Sequence, residues 1–152
     1  MLKVERSALM GFAPALLLAL VEDVAQYPVF MPGCIGATVE STEAGRTRAG
    51  LRFKFAGLTE SFLTENMVIT TAEGPLVLQM RLLRGPFKSL SGEWRFQPLG
   101  DAACKVSLSI EVDWGASLGR LLSPQLDRAV GNVMQAFRQR AQALYGDAHA
   151  TV

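Results

Sequence analysis

Histidine and cysteine are scarce in this sequence, which has one histidine and two cysteines among 152 residues. The histidine, His149, lies in a polar stretch near the C-terminus. A Ser-His or Cys-His catalytic pair and a histidine-rich metal site are therefore not expected. Cys34 and Cys104 are far apart and show no metal or redox spacing, which predicts free, buried thiols in a reducing compartment. We expect no metal site and no required cofactor.

Net charge is also low. The 15 basic and 14 acidic side chains leave a formal charge of +1 at pH 7. Nothing in the overall charge favours nucleic acid, and we expect no DNA partner. The sequence contains no Gly-rich phosphate loop, no nucleophile motif and no pair of carboxylates at a spacing suited to acid–base catalysis. These absences favour a protein that binds rather than catalyses.

Hydrophobic residues make up 49% of the chain, which indicates a folded protein with a sizeable core. We expect a single domain over residues 1–146 and a flexible tail over residues 147–152. The apolar run from Ala8 to Val21 is shorter than the roughly 20 residues that span a bilayer. We interpret it as the end of a strand followed by a buried helix, and not as a leader or membrane span.

Periodicity predicts a strand over Leu2–Leu9 and a helix from Pro14 to about Val24, buried through Leu16, Leu17, Leu20, Val21 and Val24. A second, short helical piece follows over residues 25–32; it is limited by two prolines, and we call it the flap. Gly, Pro and Asp turns then separate six predicted strands. They lie near residues 35–43, 46–56, 59–70, 75–83, 87–98 and 104–114.

The last predicted element is a long helix from Ser123, a good N-cap, through Pro124 at its first position to Tyr145, with Gly146 ending it. It carries one apolar stripe: Leu126, Ala129, Val130, Val133, Met134, Phe137, Ala141 and Leu144. Such a helix needs a broad apolar partner. We therefore predict an α+β fold, in which a strongly bent antiparallel sheet of seven strands wraps around this helix and two short helices follow the first strand.

Three groups of residues are similar to motifs of one family. Its N-terminal signature is matched by Val4-Glu5-Arg6-Ser7, residues 24–28, Phe30-Met31-Pro32 and Cys34. Its most specific block is matched by Gly85-Pro86-Phe87-Lys88, Leu90, Gly92-Glu93-Trp94-Arg95-Phe96 and Pro98-Leu99-Gly100, and its ending by Phe137, Arg140, Ala141, Leu144 and Tyr145-Gly146. Over about residues 3–146 the chain resembles the coenzyme Q-binding START-domain family. This is the polyketide cyclase/dehydrase-like branch of the helix-grip superfamily, and it includes bacterial ribosome association toxins.

The resemblance implies a helix-grip (START-like) fold with a tunnel that accommodates lipid. It also implies a non-catalytic protein that binds ubiquinone or another isoprenoid lipid and supports respiration as a carrier or chaperone. The alternative that it implies is a toxin-like protein that binds the large ribosomal subunit and blocks subunit association. A cyclase-like enzyme is a third reading. We expect a cytoplasmic protein, with the periphery of the inner membrane as a further option.

A quinone with an isoprenoid tail needs a long apolar slot. Residues that fit its lining are Tyr27, Phe30, Met31, Phe53, Phe87, Trp94, Val130, Met134 and Phe137. The flap is the expected gate. The alternative is that the same side chains form a close-packed core without a cavity.

Two groups of cations are candidate contact surfaces. Arg46, Arg48, Arg52 and Lys54 all have even numbers, so a regular strand places them on one face. That face fits phosphates of RNA or of a membrane surface, or it is simply solvated. The second group is Arg81, Arg84 and Lys88. These residues either flank a pocket mouth or form a charged hairpin tip that maintains solubility.

Overall fold

The computed structural model describes residues 2–43, 45–55, 57–70, 72, 74–115 and 119–150. A first strand is followed by two short helices, six strands and one long helix, as predicted. The strands are β1 (Leu2–Met10), β2 (Cys34–Glu43), β3 (Arg46–Phe55), β4 (Leu58–Ile69), β5 (Leu76–Arg84), β6 (Ser89–Pro98) and β7 (Cys104–Asp113). The helices are α1 (Pro14–Glu22), a 3₁₀ turn (Val24–Gln26), α2 (Tyr27–Phe30) and α3 (Gly119–Ala150).

All seven strands form one antiparallel sheet in the order β1-β7-β6-β5-β4-β3-β2. Strands β2 to β7 pair with their neighbours in sequence, and β1 pairs with β7 from Leu2 opposite Val112 to Met10 opposite Cys104. Consecutive strands β1 and β2 therefore lie at opposite edges, and α1 and α2 connect them. Register shifts interrupt the β2–β3 pairing twice and the β4–β5 pairing once. Such bulges bend a strand locally, which suits a sheet that curves around a helix.

The core lies between one face of the sheet, here called the inner face, and the helices. Strand β7 alternates as predicted, with Val106, Leu108 and Val112 buried at 1%, 3% and 0% exposure. Trp94 and Phe96 of β6 are buried beside them, with parallel rings 6.1 Å apart. The apolar stripe of α3 meets this surface through Val130, Met134, Phe137 and Ala141, all of which are buried. The predicted helix-grip arrangement is confirmed.

Polar contacts hold α3 along β1 and α1. The Arg6 guanidinium lies 2.6 Å from the Asp127 carboxylate near the N-terminal half of α3. Further along, Arg138 donates a hydrogen bond to the carbonyl of Leu9 at 2.9 Å. Both pairs are largely exposed, so their contribution to stability is small and they mainly set the orientation of α3.

The predicted ends of the long helix were wrong. The helix begins at Gly119 rather than at Ser123, and Pro124 lies inside it. Proline removes one backbone donor but still tolerates the helical φ, so a turn can precede it. At the other end Gly146 stays within α3, which continues to Ala150. A glycine ends a helix only when it takes the left-handed conformation. The flexibility of residues 147–152 stays a prediction, and residues 151 and 152 lie outside the described part of the chain.

The first helix is shorter than predicted and presents a different face. It ends at Glu22, and the Val24 region forms a 3₁₀ turn instead. Leu18 is buried, whereas Leu16, predicted as buried, is 37% exposed. Residues 14–22 are apolar almost all round the helix, so their pattern does not select a face, and packing decides it.

Gly33 connects the flap to the sheet in a conformation that favours glycine. Its φ is +80°, and a Cβ at this position would lie 2.9 Å from the Lys54 carbonyl oxygen. The Lys54 N–H donates a hydrogen bond to the Gly33 carbonyl at 2.8 Å. A side chain at Gly33 would therefore meet two penalties, a left-handed backbone and a clash with β3.

We predict that Gly33→Ala lowers the free energy of unfolding more than Gly57→Ala. Gly57 has a similar φ of +79°, but a Cβ there would meet nothing within 4 Å. The control should cost about 1 kcal/mol for the left-handed conformation alone. Urea denaturation measures both variants. Equal losses would show that the flap moves aside and that the contact with β3 is unimportant.

Candidate functional site

The inner face of the sheet has two differently covered halves. Helix α3 packs chiefly on β1 and β7, and α1 packs on β5 and β6. On the inner face Ala49 of β3 and Thr64 of β4 pair with each other and are buried, but other parts of both strands lie beyond this cover. Their inner-face side chains Leu51, Phe53, Phe62 and Val68 are only partly buried, although they adjoin the core. An apolar surface that is neither packed nor open to bulk solvent is a candidate binding site.

The register places these side chains on one surface. Leu51 pairs with Phe62, and across the next ladder Val68 pairs with the buried Leu78. Residues directly opposite in an antiparallel pair point to the same side. On β4, Thr64 and Asn66 lie between Phe62 and Val68 on the same face, so this surface is apolar at both ends and polar in the middle. Leu51 and Phe62 were not among the lining residues predicted from the sequence. The signal for Phe62 was its position opposite Leu51, which requires the register.

A row of four half-buried aromatic rings crosses one end of this surface. Phe53 and Phe62 have ring centroids 5.9 Å apart, Phe62 and Phe87 are 5.5 Å apart, and Phe87 and Trp114 are 4.6 Å apart. The row joins β3, β4, the β5–β6 hairpin and the end of β7. Rings arranged in this way offer flat apolar faces to a planar or chain-like ligand.

A second aromatic cluster, buried except at Phe30, joins the flap to the sheet and to α3. Phe137 contacts Tyr27, Phe30 and Trp94 edge-to-face at centroid distances of 5.6, 5.2 and 5.1 Å. The Arg140 guanidinium lies 5.2 Å from the centre of the Phe30 ring. The rings of this cluster fix the position of the flap over the end of the sheet.

The nine predicted lining residues thus separate into two sets. Phe30, Phe53 and Phe87 are half-buried. The others are at most 7% exposed, as expected for close-packed core: Tyr27, Met31, Trp94, Val130, Met134 and Phe137. The buried set packs as core, and the half-buried set stays a predicted ligand lining.

Two buried polar atoms on the inner side have no hydrogen-bond partner among the described residues. They are Oδ1 of Asn66 on β4 and Nε1 of Trp114 after β7. Leaving such a group unsatisfied costs about 1–3 kcal/mol. Asn66 shares the inner face with Met80, opposite it on β5, so an acceptor lies beside the apolar surface.

The titratable groups of this region are held neutral. The Tyr27 hydroxyl donates a short hydrogen bond to the Val21 carbonyl, and burial raises the pKa of Tyr27 well above its usual value. Burial also raises the pKa of Cys104 to about 11 and that of Cys34 above its ordinary value. Both cysteines are free and buried, as predicted. These groups therefore offer neither a thiolate nor a phenolate at neutral pH.

The predicted cation row lies on the outer face of the sheet. Arg46, Arg48, Arg52 and Lys54 pair with Met67, Glu65, Ser61 and Thr59 respectively, on the side away from α3. Arg48 is 3.8 Å from the Glu65 carboxylate, whereas Arg52 and Lys54 form no ion pair with a described residue. The row is therefore most strongly cationic at its Arg52–Lys54 end.

The three cations of the second group do not lie on one surface. Arg81 lies on the outer face, where its Nη2 is 3.0 Å from the Glu65 carboxylate, so it does not border the inner surface. Arg84 and Lys88 are exposed around the β5–β6 turn. Arg46 and Arg81 also border an outer-face groove of about 640 Å³. Its lining balances three cations against three acids: Lys3, Arg46, Arg81, Glu65, Glu93 and Glu111.

No helix of the described chain is long and apolar enough to cross a membrane. Within the same residues, no group of three or more His, Cys, Asp or Glu side chains is arranged to hold a metal ion.

Sequence comparisons agree with this architecture. Residues 10–138 match the family described as polyketide cyclase/dehydrase and lipid transport. The chain is 36% identical over 148 residues to the ribosome association toxin RatA of Vibrio cholerae, covering 97% of this chain and 100% of that protein. It is 28% identical over 144 residues to the mitochondrial coenzyme Q-binding protein COQ10 homolog B of Xenopus laevis, covering 92% of this chain and 58% of that protein.

Solved structures show the same fold. A START superfamily protein of Mycobacterium smegmatis has a TM-score of 0.80 at 18% identity, covering 93% of this chain and 98% of that one. An aromatase/cyclase of Streptomyces sp. R1128 also has a TM-score of 0.80, at 17% identity, covering 93% of each chain. The same fold is therefore found in an enzyme, and the fold by itself does not decide between binding and catalysis. The sheet, the long helix and the matched residues together show that this chain belongs to the polyketide cyclase/dehydrase and lipid transport family, with a START-like fold.

Proposed function

We propose that this protein binds a hydrophobic ligand, ubiquinone or another isoprenoid lipid, between the inner face of β3–β5 and helix α3. The supporting observation is the half-buried apolar surface formed by Leu51, Phe53, Phe62 and Val68. A closed core leaves no such surface, because protein interiors are packed at the density of organic crystals. The protein would act as a carrier or chaperone for the ligand in the cytoplasm, in support of respiration.

Apolar burial supplies most of the affinity in this proposal. Each Å² of apolar area removed from water contributes roughly 25 cal/mol before the costs of ordering are subtracted. A quinone ring suits the flat faces of the aromatic row from Phe53 to Trp114, and an isoprenoid chain suits the aliphatic surface beside it. Asn66 and Trp114 supply polar atoms that a ring oxygen or hydroxyl would satisfy.

The proposed role is non-catalytic. Tyr27 uses its hydroxyl in a structural hydrogen bond, and the two cysteines are protonated at neutral pH. The family description includes both cyclases and lipid transport, so an enzyme remains the competing class. If the bound ligand is recovered without chemical change, the result supports a carrier and not an enzyme.

A second candidate function rests on the relatives named ribosome association toxin. In this reading the protein binds the large ribosomal subunit through the outer face of β3 and blocks subunit association. Arg52 and Lys54 are exposed and form no ion pair with a described residue, so both are available to RNA phosphates. The inner surface has no part in this contact, and the two functions are therefore separable by mutation.

We predict that Phe87→Ala weakens ubiquinone binding by about tenfold, since part of a large apolar side chain is lost from the aromatic row. Titration with a short-chain ubiquinone, followed by quenching of tryptophan fluorescence, measures the Kd. The control is Leu83→Ala on the same hairpin, because Leu83 is 37% exposed. Native mass spectrometry of protein from a respiring host tests for bound quinone directly. Protein that is empty and ignores added quinone would refute the proposal.

We predict that the double variant Arg52→Glu/Lys54→Glu loses co-sedimentation with large ribosomal subunits and keeps its ubiquinone affinity. Charge reversal replaces attraction to phosphates by repulsion. The matched control is Arg95→Glu/Lys105→Glu, which makes the same charge change on the outer face of β6 and β7. Equal loss in both double variants would mean that net charge, and not this strand, governs the association.

A further inference from the structure

Two aliphatic side chains beside the flap are exposed although the flap itself is anchored. Val29 of α2 is 67% exposed, and Ile35 at the start of β2 is 48% exposed. Between them Met31 is buried at 6%, and Tyr27 on the preceding turn is buried at 7%. A single exposed aliphatic residue is ordinary. Two exposed aliphatic residues on one short connection, next to the proposed ligand site, indicate a surface that contacts a partner.

Hydrogen bonds hold this connection in place. The Met31 N–H bonds the Tyr27 carbonyl at 2.8 Å, and the Cys34 N–H bonds the Met31 carbonyl at 3.1 Å. The Lys54 N–H bonds the Gly33 carbonyl at 2.8 Å. The backbone is therefore fixed to β3 and to the buried rings beneath it. Val29 and Ile35 are held outward by the fold, so the loss of conformational entropy on docking is small.

Three cations from two elements surround the same connection. The Arg52 side chain passes Gly36, where a Cβ would lie 3.7 Å from it. Lys54 follows two residues later and is joined to Gly33 through its backbone. Arg140 of α3 lies over the Phe30 ring at 5.2 Å. None of the three cations forms an ion pair with a described residue. The nearby acids Glu22 and Asp23 lie at the end of α1 and influence the Tyr27 hydroxyl.

Aliphatic side chains bordered by free cations match the interface of an anionic bilayer. Valine and isoleucine side chains are stabilised when they enter the boundary between headgroups and acyl chains. Arginine and lysine are stabilised by attraction to lipid phosphates. Single-stranded RNA would use the cations but not the aliphatic residues, since it binds proteins by stacking on exposed aromatics. The chemistry of the exposed side chains therefore favours lipid.

We propose that α2 and the start of β2 form a membrane-docking surface. Val29 and Ile35 enter the interface of an anionic bilayer, and Arg52, Lys54 and Arg140 contact its phosphates. The inference builds on the proposed lipid-ligand function, because docking would bring Phe30 and the adjoining aromatic clusters to the source of the ligand. Docking itself requires no bound ligand, so its test is independent of quinone binding.

The test is co-flotation with quinone-free vesicles of phosphatidylcholine, with and without 30 mol% phosphatidylglycerol. The anionic lipid gives the vesicle surface a negative potential that attracts lysine and arginine. Val29→Asp and Ile35→Asp should each lower binding to the anionic vesicles by about tenfold. Leu99→Asp, on the β6–β7 turn, should have little effect, although Leu99 at 47% is as exposed as Ile35. Arg52→Glu/Lys54→Glu should lower binding by roughly fivefold for each cation removed.

Each outcome decides the proposal. Selective loss in the Val29 and Ile35 variants, with a requirement for anionic lipid, supports it. Equal binding of Val29→Asp and wild type overturns it, as does binding that depends on the cations alone. If Val29→Asp and Ile35→Asp instead lower ribosome co-sedimentation and vesicles do not bind, the surface serves the ribosome and the membrane proposal fails. Failure of quinone binding with intact flotation would remove the carrier function and leave the docking surface standing.

Discussion

The structure depends on one aromatic cluster, in which Phe137 contacts three other rings. Tyr27 and Phe30 come from the flap, Trp94 comes from the middle of the sheet, and Phe137 comes from the long helix. Edge-to-face contacts of this kind contribute about 0.5–1.5 kcal/mol each beyond the area that they bury. The cluster sets where α3 crosses the sheet and where the flap closes. It thereby defines which inner-face residues remain uncovered.

The sheet divides the protein into two chemically different surfaces. The inner face is apolar, and its β3–β4 part is left half-buried because α3 packs on β1 and β7 instead. The outer face is charged, but its ion pairs are mostly exposed and contribute little to stability. A lipid ligand and a ribosome would use opposite faces. The proposed ligand and ribosome surfaces share no residue, whereas membrane docking and ribosome binding would both use Arg52 and Lys54.

Much of the fold was predictable because local patterns and global packing agree. Strands such as β7 show strict alternation, and the register confirms which side chains share a face. The failures were at places where local signals compete. Pro124 and Gly146 are frequent at helix ends, yet both lie inside α3. Both signals are only preferences, because the fixed φ of proline fits a helix and glycine ends one only in the left-handed conformation.

The sequence by itself determined the order of elements, the family and the two faces of each strand. Side chains repeat every two residues in a strand and every 3.6 residues in a helix, and the spacing of apolar residues shows both periods. The tertiary structure alone decided which apolar residues are fully buried and which are half-buried. Phe53 and Trp94 are both inner-face aromatics, but Phe53 is half-buried and Trp94 is only 3% exposed. The difference arises because α1 packs on β6 and Phe137 of α3 contacts Trp94, whereas neither helix packs closely on β3. Burial depends on what packs against a residue from distant parts of the chain, and no local pattern records that.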